Sequence, residues 1–222
     1  MKRRHVIALI AVVSCIVSCS STVIMYASSY TFDYLKTPLT CAVLFPEIIE
    51  IAYPGNVDNI VGEGEKSQMI TTFLRSQIIT ELQQRTIFNR VWNTFLLEEF
   101  EKRKVYIKSK GGEKTFSIPT PDARIACQGG IPDIVLTFDD IEIKTDDDPE
   151  KNAEAVSADV PPQRLIVQTK FIIWDNKQHL LVSHGFIVSE VTNKRTIAKE
   201  DWNTVIADIC AKILERTPYK KS

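Results

Sequence analysis

The side chains that could carry acid–base or metal chemistry are few and poorly arranged in this sequence. The chain has three histidines, and His179 and His184 are five positions apart on one predicted strand. Because side chains alternate between the two faces of a strand, these histidines point to opposite faces and cannot easily share a metal ion. Ser183 faces away from its neighbour His184 for the same reason, so the pair is not a nucleophile with its base. Turn-side or surface histidines are the ordinary interpretation, and we predict no catalytic residue.

The densest carboxylates are Asp139, Asp140, Glu142 and the run at 146–148. Carboxylate oxygens of this kind can bind Ca²⁺, but these residues lack the spacing of a calcium-binding loop. Gly62 and its neighbours likewise lack the lysine and the third glycine of a phosphate-binding loop. We therefore predict a solvated acidic loop over residues 146–162, no metal site and no cofactor.

The overall charge argues against two classes of partner. The chain has 27 Lys and Arg against 28 Asp and Glu. Loss of residues 1–18, which contain Lys2, Arg3 and Arg4, leaves 24 against 28, a net charge of −4. That balance gives no electrostatic footprint for nucleic acid, and we expect no polybasic patch for an anionic membrane. Attachment to a membrane would have to come from lipid.

The amino terminus has the pattern of an export signal. Lys2, Arg3 and Arg4 precede an almost continuously apolar stretch over residues 6–17, which has the length of a signal-peptide core and is short for a membrane span. The stretch ends in Ile-Val-Ser-Cys at positions 16–19, which resembles the bacterial lipobox. The resemblance implies diacylglyceryl transfer to the sulfur of Cys19, cleavage before it and further acylation. The acyl chains would then hold the protein to a bilayer.

Two alternatives to lipidation at Cys19 stay open. Residues 12–15 (Val-Val-Ser-Cys) also fit the lipobox, although the polar residues 20–22 after Cys19 favour the later site over Cys15. An uncleaved anchor over residues 6–26 is the other alternative. Ser20 after the acceptor cysteine favours the outer membrane, with a domain that faces the periplasm, over the inner membrane or the cell surface. Of the remaining cysteines, Cys41, Cys127 and Cys210 are interpreted as buried or free thiols, with one disulfide among them left open.

Hydrophobic periodicity predicts the elements of the remaining chain. Residues 67–85 and 196–216 repeat apolar residues every three or four positions and predict two amphipathic helices. Strands are predicted over residues 41–51, 88–92 and 134–143, and residues 95–106 are interpreted as helical. Residues 165–174 and 180–191 alternate around a turn at 175–177 and predict a hairpin. The expected fold is α+β, with a mainly antiparallel sheet of four to five strands and both helices on one face. It forms one domain over residues 41–218, between a lipidated tether at 19–40 and a tail at 219–222.

The predicted layout resembles the periplasmic α/β lipoproteins of envelope assembly and secretion. This group includes curli-secretion and penicillin-binding-protein-activator lipoproteins, and the amino-terminal domain of TolB has a similar layout. The matching segments are the opening strand at 42–46 (Ala-Val-Leu-Phe-Pro), the helix at 67–85 leading to residues 88–91, the segment 132–136 (Pro-Asp-Ile-Val-Leu), the hairpin and the closing helix. The resemblance implies a binding or assembly role and not catalysis.

Two hypotheses follow for the function. The first is a non-catalytic, membrane-anchored accessory or scaffold that binds an envelope protein, and it predicts an exposed apolar patch or sheet edge. Trp174, at the end of the hairpin, and Phe186 are the predicted partner or ligand surface. The second is a transport subunit that binds lipid or glycolipid. It predicts an apolar cavity between helices and sheet, or a basic rim near Lys102, Arg103, Lys104, Lys108 and Lys110.

Overall fold

The computed structural model describes residues 23–26, 38–52, 66–109, 112–147, 163–193, 197–215 and 217–221. The predicted signal peptide, the acceptor Cys19 with its alternative Cys15, and residues 148–162 of the predicted acidic loop lie outside the described residues.

Both predicted helices are present and bury the predicted stripes. Helix α1 spans Lys66–Arg85 and helix α2 spans Lys199–Leu214. At the start of α2, the backbone N–H of Ala198 donates to Oδ2 of Asp201 at 2.7 Å, which supplies a partner to an otherwise unpaired amide. The buried residues of the two stripes are Ile70, Leu74, Ile78 and Leu82 of α1, and Trp202, Val205, Ile206, Ile209 and Ile213 of α2. Among the described residues, no helix is long and apolar enough to cross a membrane.

In the described parts of the chain, nine strands form one large and one small sheet. Their bounds are β1 (Val23–Tyr26), β2 (Thr40–Leu44), β3 (Glu50–Ala52), β4 (Arg90–Thr94), β5 (Lys102–Ser109), β6 (Gly112–Pro119), β7 (Ile134–Asp147), β8 (Gln163–Asp175) and β9 (Leu180–Asn193). The large sheet has seven strands in the order β1-β9-β8-β7-β2-β4, and β3 also lies along β7. Strands β5 and β6 form a separate hairpin.

The α+β class is confirmed, but the sheet is larger and more mixed than predicted. Strands β1, β9, β8 and β7 are antiparallel neighbours, whereas β2 runs parallel to both β7 and β4, and β3 runs parallel to β7. The β2–β4 pair is parallel because the chain from β2 to β4 passes through α1, and such a crossover returns in the same direction. The expectation of four to five mainly antiparallel strands therefore fits only the β7–β9 half of the sheet.

The predicted helix over residues 95–106 is wrong. Strand β5 begins at Lys102 and pairs with β6 over its whole length, from Lys102 opposite Pro119 to Ser109 opposite Gly112. The alternation explains the difference: Ile107 is buried and Val105 is half-buried, while Tyr106 between them and the flanking Lys104 and Lys108 are exposed. Gly112 at the end of the turn has φ +107°, a conformation that glycine adopts readily.

The two faces of the large sheet are covered differently. Helices α1 and α2 pack on one face and share the largest apolar cluster with β2, β7, β8 and β9. The opposite face carries two smaller clusters, one under residues 123–127 and one under the β5–β6 hairpin. The predicted hairpin is confirmed as β8 and β9, which pair from Gln163 opposite Asn193 to Asp175 opposite Leu180.

Both ends of the chain contribute to the folded domain. Strand β1 lies within the predicted tether of residues 19–40 and pairs antiparallel with β9, Val23 opposite Phe186. At the other end, Tyr219 of the predicted tail is fully buried, with its ring centroid 5.0 Å from that of Phe88. The backbone N–H of Lys221 donates to the carbonyl of Arg85 at 2.8 Å. Residues 219–221 are thus packed against the end of α1, because burial of an aromatic ring favours an ordered end of the chain.

Candidate functional site

The two residues predicted as a partner surface are buried. Trp174 is 2% exposed and packs against Ala42, Leu44 and Val135 under the segment 123–127. Phe186 is 8% exposed and packs under the β5–β6 hairpin, with Nζ of Lys114 4.3 Å from its ring centroid. Both lie on the sheet face opposite the helices, where connecting segments cover them. The prediction that they form an exposed surface is therefore wrong.

The histidines do not form a catalytic pair. His179 lies in the turn before β9, and its Nδ1 is 3.1 Å from the carbonyl oxygen of Ala123. His184 is buried in β9, against the edge of the Phe116 ring at a centroid distance of 5.3 Å, and neither of its ring nitrogens has a hydrogen-bond partner. Burial lowers the pKa of His184, which keeps the imidazole neutral. The interpretation of both as turn-side or surface residues fits only His179.

The three cysteines of the described domain are free and buried. Burial raises the pKa of Cys127 to about 11 and raises the pKa values of Cys41 and Cys210 further. A thiol with a raised pKa is a poor nucleophile, so these residues pack as small apolar side chains. The disulfide that the sequence left open is not formed among them.

The acidic residues at the centre of the sequence lie along β7 and form ion pairs with lysines. Asp140 accepts from Nζ of Lys170 at 3.3 Å across the β7–β8 pair. Glu142 lies 2.5 Å from Nζ of Lys144 and also accepts a hydrogen bond from the side-chain amide of Gln168. Among the described residues, no three His, Cys, Asp or Glu side chains come close enough together to hold a metal ion.

A cleft lies at the carboxyl ends of the parallel strands β2 and β4. Strands β2 and β4 end there at Leu44 and Thr94, and β7 passes beside them at the bulge after Phe138 before it continues to Asp147. The loop after β2, the segment 95–100 after β4 and the base of the β5–β6 hairpin complete its walls. The cleft has a volume of about 460 Å³. Crevices beyond the carboxyl ends of parallel strands are common binding sites, because the connecting segments separate there.

Large apolar side chains at this cleft are open to solvent. Phe95 is 58% exposed and Leu97 is 65% exposed, and both line the cleft. Ile48, which follows the lining residue Glu47, is 78% exposed. A single exposed apolar side chain needs no explanation, but several around one cleft mark an interaction site. We call Phe95, Leu97 and the surrounding lining residues the carboxyl-end cleft.

Carboxylates dominate the rim of the carboxyl-end cleft. Glu47, Glu98, Glu99 and Asp139 line it and are exposed, whereas Lys102 is its only lining residue with a positive charge. The ammonium of Lys102 is also 5.0 Å from the ring centroid of Phe100. The cleft thus combines an apolar floor with a negative rim. A ligand with apolar and cationic groups is complementary to it, and an anionic ligand is repelled.

Hydrogen bonds hold the walls of the carboxyl-end cleft in place. The backbone N–H of Leu97 donates to the carbonyl of Ala126 at 3.0 Å, and that of Gln128 donates to the carbonyl of Phe95 at 2.9 Å. On the other wall, the guanidinium of Arg75 donates to the carbonyl of Pro46 at 2.6 Å. These bonds fix the two exposed apolar residues before any ligand arrives, which lowers the entropic cost of binding.

Two other concave features are less suited to a ligand. The enclosed space between the helices and the sheet, lined by Cys41, Leu136 and Ile213 among others, is about 10 Å³, the least that can hold one water molecule. A groove between α1 and the edge strand β4 is larger, about 500 Å³. There, the side-chain oxygen of Gln83 accepts from the edge N–H of Val91 at 2.7 Å, which blocks part of the strand edge.

Nothing in the sequence alone predicts the carboxyl-end cleft. The charged composition of residues 95–106 favours a helix, and single exposed apolar residues such as Phe95 and Leu97 are common on a surface helix. Phe95 and Leu97 flank the half-buried Leu96, and this alternation is typical of an extended segment in which two residues face outward. The strand order, which places the ends of β2 and β4 beside the bulge of β7, cannot be predicted from local sequence patterns.

Comparisons with known proteins leave the family open. No protein-family model matches the sequence, and no curated protein has a significantly similar sequence. Among solved structures, a PelC dodecamer from Paraburkholderia phytofirmans is similar to this chain with a TM-score of 0.39 and 10% identity, over 89% of this chain and 99% of that one. A neuraminyllactose-binding hemagglutinin homolog from Helicobacter pylori has a TM-score of 0.28 and 15% identity, over 86% and 88%. At these TM-scores, neither similarity carries an argument about this protein.

Proposed function

We propose that this protein is a non-catalytic accessory of the cell envelope, anchored by acyl chains on Cys19, which binds a protein partner in the carboxyl-end cleft. The anchor follows from the lipobox-like sequence at 16–19 and would place the domain on the periplasmic side of the outer membrane. The observation that carries the binding role is the exposure of Phe95 and Leu97 in a cleft of about 460 Å³ with fixed walls. A domain that had no partner for this cleft would gain solubility by replacing both residues with polar ones.

The chemistry of the cleft indicates what part of the partner would bind. The apolar floor favours a side chain such as Leu or Phe, and the rim of Glu47, Glu98, Glu99 and Asp139 favours Lys or Arg beside it. Full burial of one Leu or Phe contributes roughly 2 kcal/mol, whereas rim charges mainly raise the rate and the specificity of association. The expected ligand is therefore a short apolar segment flanked by basic residues on a protein of the envelope.

The interior of the domain argues against the alternative of a lipid-binding transport subunit. In the described part of the chain, the space between helices and sheet is about 10 Å³, and an acyl chain needs many times that volume. The larger carboxyl-end cleft has a negative rim, which repels phosphate and other anionic headgroups.

Site-specific photocrosslinking in living cells tests the proposal. A photoreactive amino acid at position 97 should give a discrete protein adduct at the membrane, and Glu98→Lys with Glu99→Lys should reduce the yield several-fold. The matched control is the same amino acid at Ile131, which is 54% exposed and lies outside the cleft. Sequencing of the crosslinked peptide should show apolar residues flanked by Lys or Arg.

Two results would contradict the proposal. Equal adducts from positions 97 and 131 would show that the carboxyl-end cleft has no particular partner. Adducts that contain lipid, or peptides rich in Asp and Glu, would show that its ligand has a different chemistry. Mass spectrometry of the mature amino terminus tests the anchor separately, since it distinguishes acylated Cys19, acylated Cys15 and an uncleaved chain.

A further inference from the structure

The distance between the anchor and the folded domain is short. Strand β1 begins at Val23, four residues after Cys19, so the Cα atoms of Cys19 and Val23 are at most about 14 Å apart. Val23 is held in the large sheet by its pairing with Phe186 of β9. If Cys19 carries the acyl chains, as proposed above, the β1 edge of the large sheet must lie close to the bilayer.

The half of the β5–β6 hairpin that is nearest its turn packs beside the same edge of the large sheet. Phe186, the partner of Val23, lies in the apolar cluster under the hairpin, together with Ile107 of β5 and Phe116 of β6. Nζ of Lys114, opposite Ile107 in the hairpin, is 4.3 Å from the Phe186 ring centroid. The half of the hairpin nearest its turn is therefore beside the point where the tether leaves the sheet.

The hairpin carries a concentration of positive charge, so the expectation of no polybasic patch, which rested on the overall charge balance, is wrong. Residues 102–119 contain six basic residues and one acidic residue, Glu113, a net charge of +5. The mature chain has a net charge of −4, so all remaining residues together carry −9. The attraction of this protein to an anionic surface would thus depend on the hairpin, and the rest of the molecule would be repelled by it.

The pairing places part of that charge on one outward face. Lys104, Tyr106 and Lys108 alternate with the inward Val105 and Ile107, and Tyr106 is 59% exposed. On β6, their partners across the hairpin are Ser117, Thr115 and Glu113. Glu113, which lies opposite Lys108, offsets the positive charge of that lysine. Lys104 and Tyr106 lie opposite residues with hydroxyl side chains. A tyrosine between lysines is typical of surfaces that meet the interface of a bilayer.

We propose that the face formed by Lys104, Tyr106 and Lys108 docks on anionic phospholipid headgroups of the bilayer that holds the Cys19 acyl chains. The inference rests on the anchor in the proposed function. The anchor supplies the proximity, and the lysines fix the orientation of the domain on the surface. Strand β5 runs from Lys102, which lines the carboxyl-end cleft, to Ser109 at the turn, roughly 23 Å away. Docking through the turn half of the hairpin would leave the cleft accessible to a partner.

Lysine labelling of the acylated wild-type chain tests the docking. The chain is placed in vesicles of phosphatidylcholine, with and without 30 mol% phosphatidylglycerol, and exposed briefly to an amine-reactive ester. Lys104 and Lys108 should react several-fold more slowly in the anionic vesicles, and 1 M NaCl should remove the difference because it shortens the Debye length to about 3 Å. Lys199 and Lys220, which are exposed and lie outside the hairpin, should react equally in both vesicles.

A second measurement separates orientation from general charge effects. Protection of Tyr106 from hydroxyl radicals in anionic vesicles should be lost in the double variant Lys104→Gln with Lys108→Gln. It should persist in the charge-matched double variant Lys199→Gln with Lys220→Gln. Loss of protection in both variants, or equal labelling of Lys104 and Lys108 in the two kinds of vesicle, would overturn the docking while leaving the partner-binding cleft untouched. An unacylated Cys19 in the mature chain would overturn both the anchor and the docking.

Discussion

The two faces of the large sheet serve different purposes. On one face, α1 and α2 bury a continuous apolar cluster that includes Leu74, Ile78 and Trp202, all at most 2% exposed. On the other face, a short hairpin and a connecting segment cover two small clusters, and between them the carboxyl-end cleft leaves Phe95 and Leu97 in solvent. The difference indicates that the helical face provides most of the stability, and it leaves the opposite face as the location of the proposed binding surface.

Truncation of the helical face should have the largest effect on stability. Trp202 is 1% exposed, and its ring meets Phe73 edge-on at a centroid distance of 6.3 Å. Trp202→Ala should lower the free energy of unfolding by about 4 kcal/mol, since it removes a large buried ring and leaves a cavity. Urea unfolding followed by circular dichroism measures the change. A loss below about 1 kcal/mol would contradict the inference that the helical face provides most of the stability.

The segment 123–127, which covers part of the opposite face, should depend on the buried side-chain amide of Asn176. The side chain of Asn176 accepts from the N–H of Ile125 at 2.7 Å and donates to the carbonyls of Ile125 and Pro132 at 2.9 Å each. Asn176→Ala should cost roughly 2–3 kcal/mol, because it leaves buried backbone groups without partners. It should also speed thiol labelling of Cys127, which lies in the loosened segment, more than that of Cys41 on the helical face. Equal acceleration at both cysteines would indicate global and not local opening.

The helices and the hairpin of the fold can be predicted from the sequence, whereas the burial of Trp174 and the carboxyl-end cleft cannot. The helices were predictable because Ile70, Leu74, Ile78 and Leu82 repeat with the period of a helix, and the hairpin because residues 165–174 alternate. The exposure of Trp174 cannot be predicted from its neighbours in the sequence, because the segment 123–127, which is distant in sequence, lies over it. The cleft depends on the parallel pairing of β2 with both β4 and β7, and local periodicity does not show which strands pair.

A smaller effect on stability should come from His184, which is buried on the opposite face, and this effect should depend on pH. Burial lowers the pKa of His184 below its ordinary value of 6.5, so between these two values the unfolded chain binds more protons than the folded one. Stability should therefore fall as the pH drops through 6.5 towards the folded pKa, by at most about 1.4 kcal/mol per pH unit. Urea unfolding at pH 7.5 and 5.5 measures the difference. His184→Leu should reduce it, and an unchanged difference in that variant would assign the dependence to other groups.

The smallest stability effect should come from the carboxyl-end cleft itself. Leu97 is 65% exposed, so Leu97→Ser should change the free energy of unfolding by less than about 0.5 kcal/mol. Ile131→Ser, at a similarly exposed site outside the cleft, is the control and should behave in the same way. A loss above about 1.5 kcal/mol for Leu97→Ser would mean that this side chain belongs to the core of the fold and is not held ready for a partner.

The central claim is that the carboxyl-end cleft binds apolar segments flanked by basic residues, and peptide binding tests it most directly. Fluorescence anisotropy can compare two 12-residue peptides with the same Leu-Phe centre, one flanked by lysines and the other by glutamates. The lysine-flanked peptide should bind at least about tenfold more tightly. Leu97→Ser should weaken that binding by about tenfold, a loss of about 1.4 kcal/mol, while Ile131→Ser leaves it unchanged. Equal affinity for the two peptides, or equal effects of the two variants, would contradict the account.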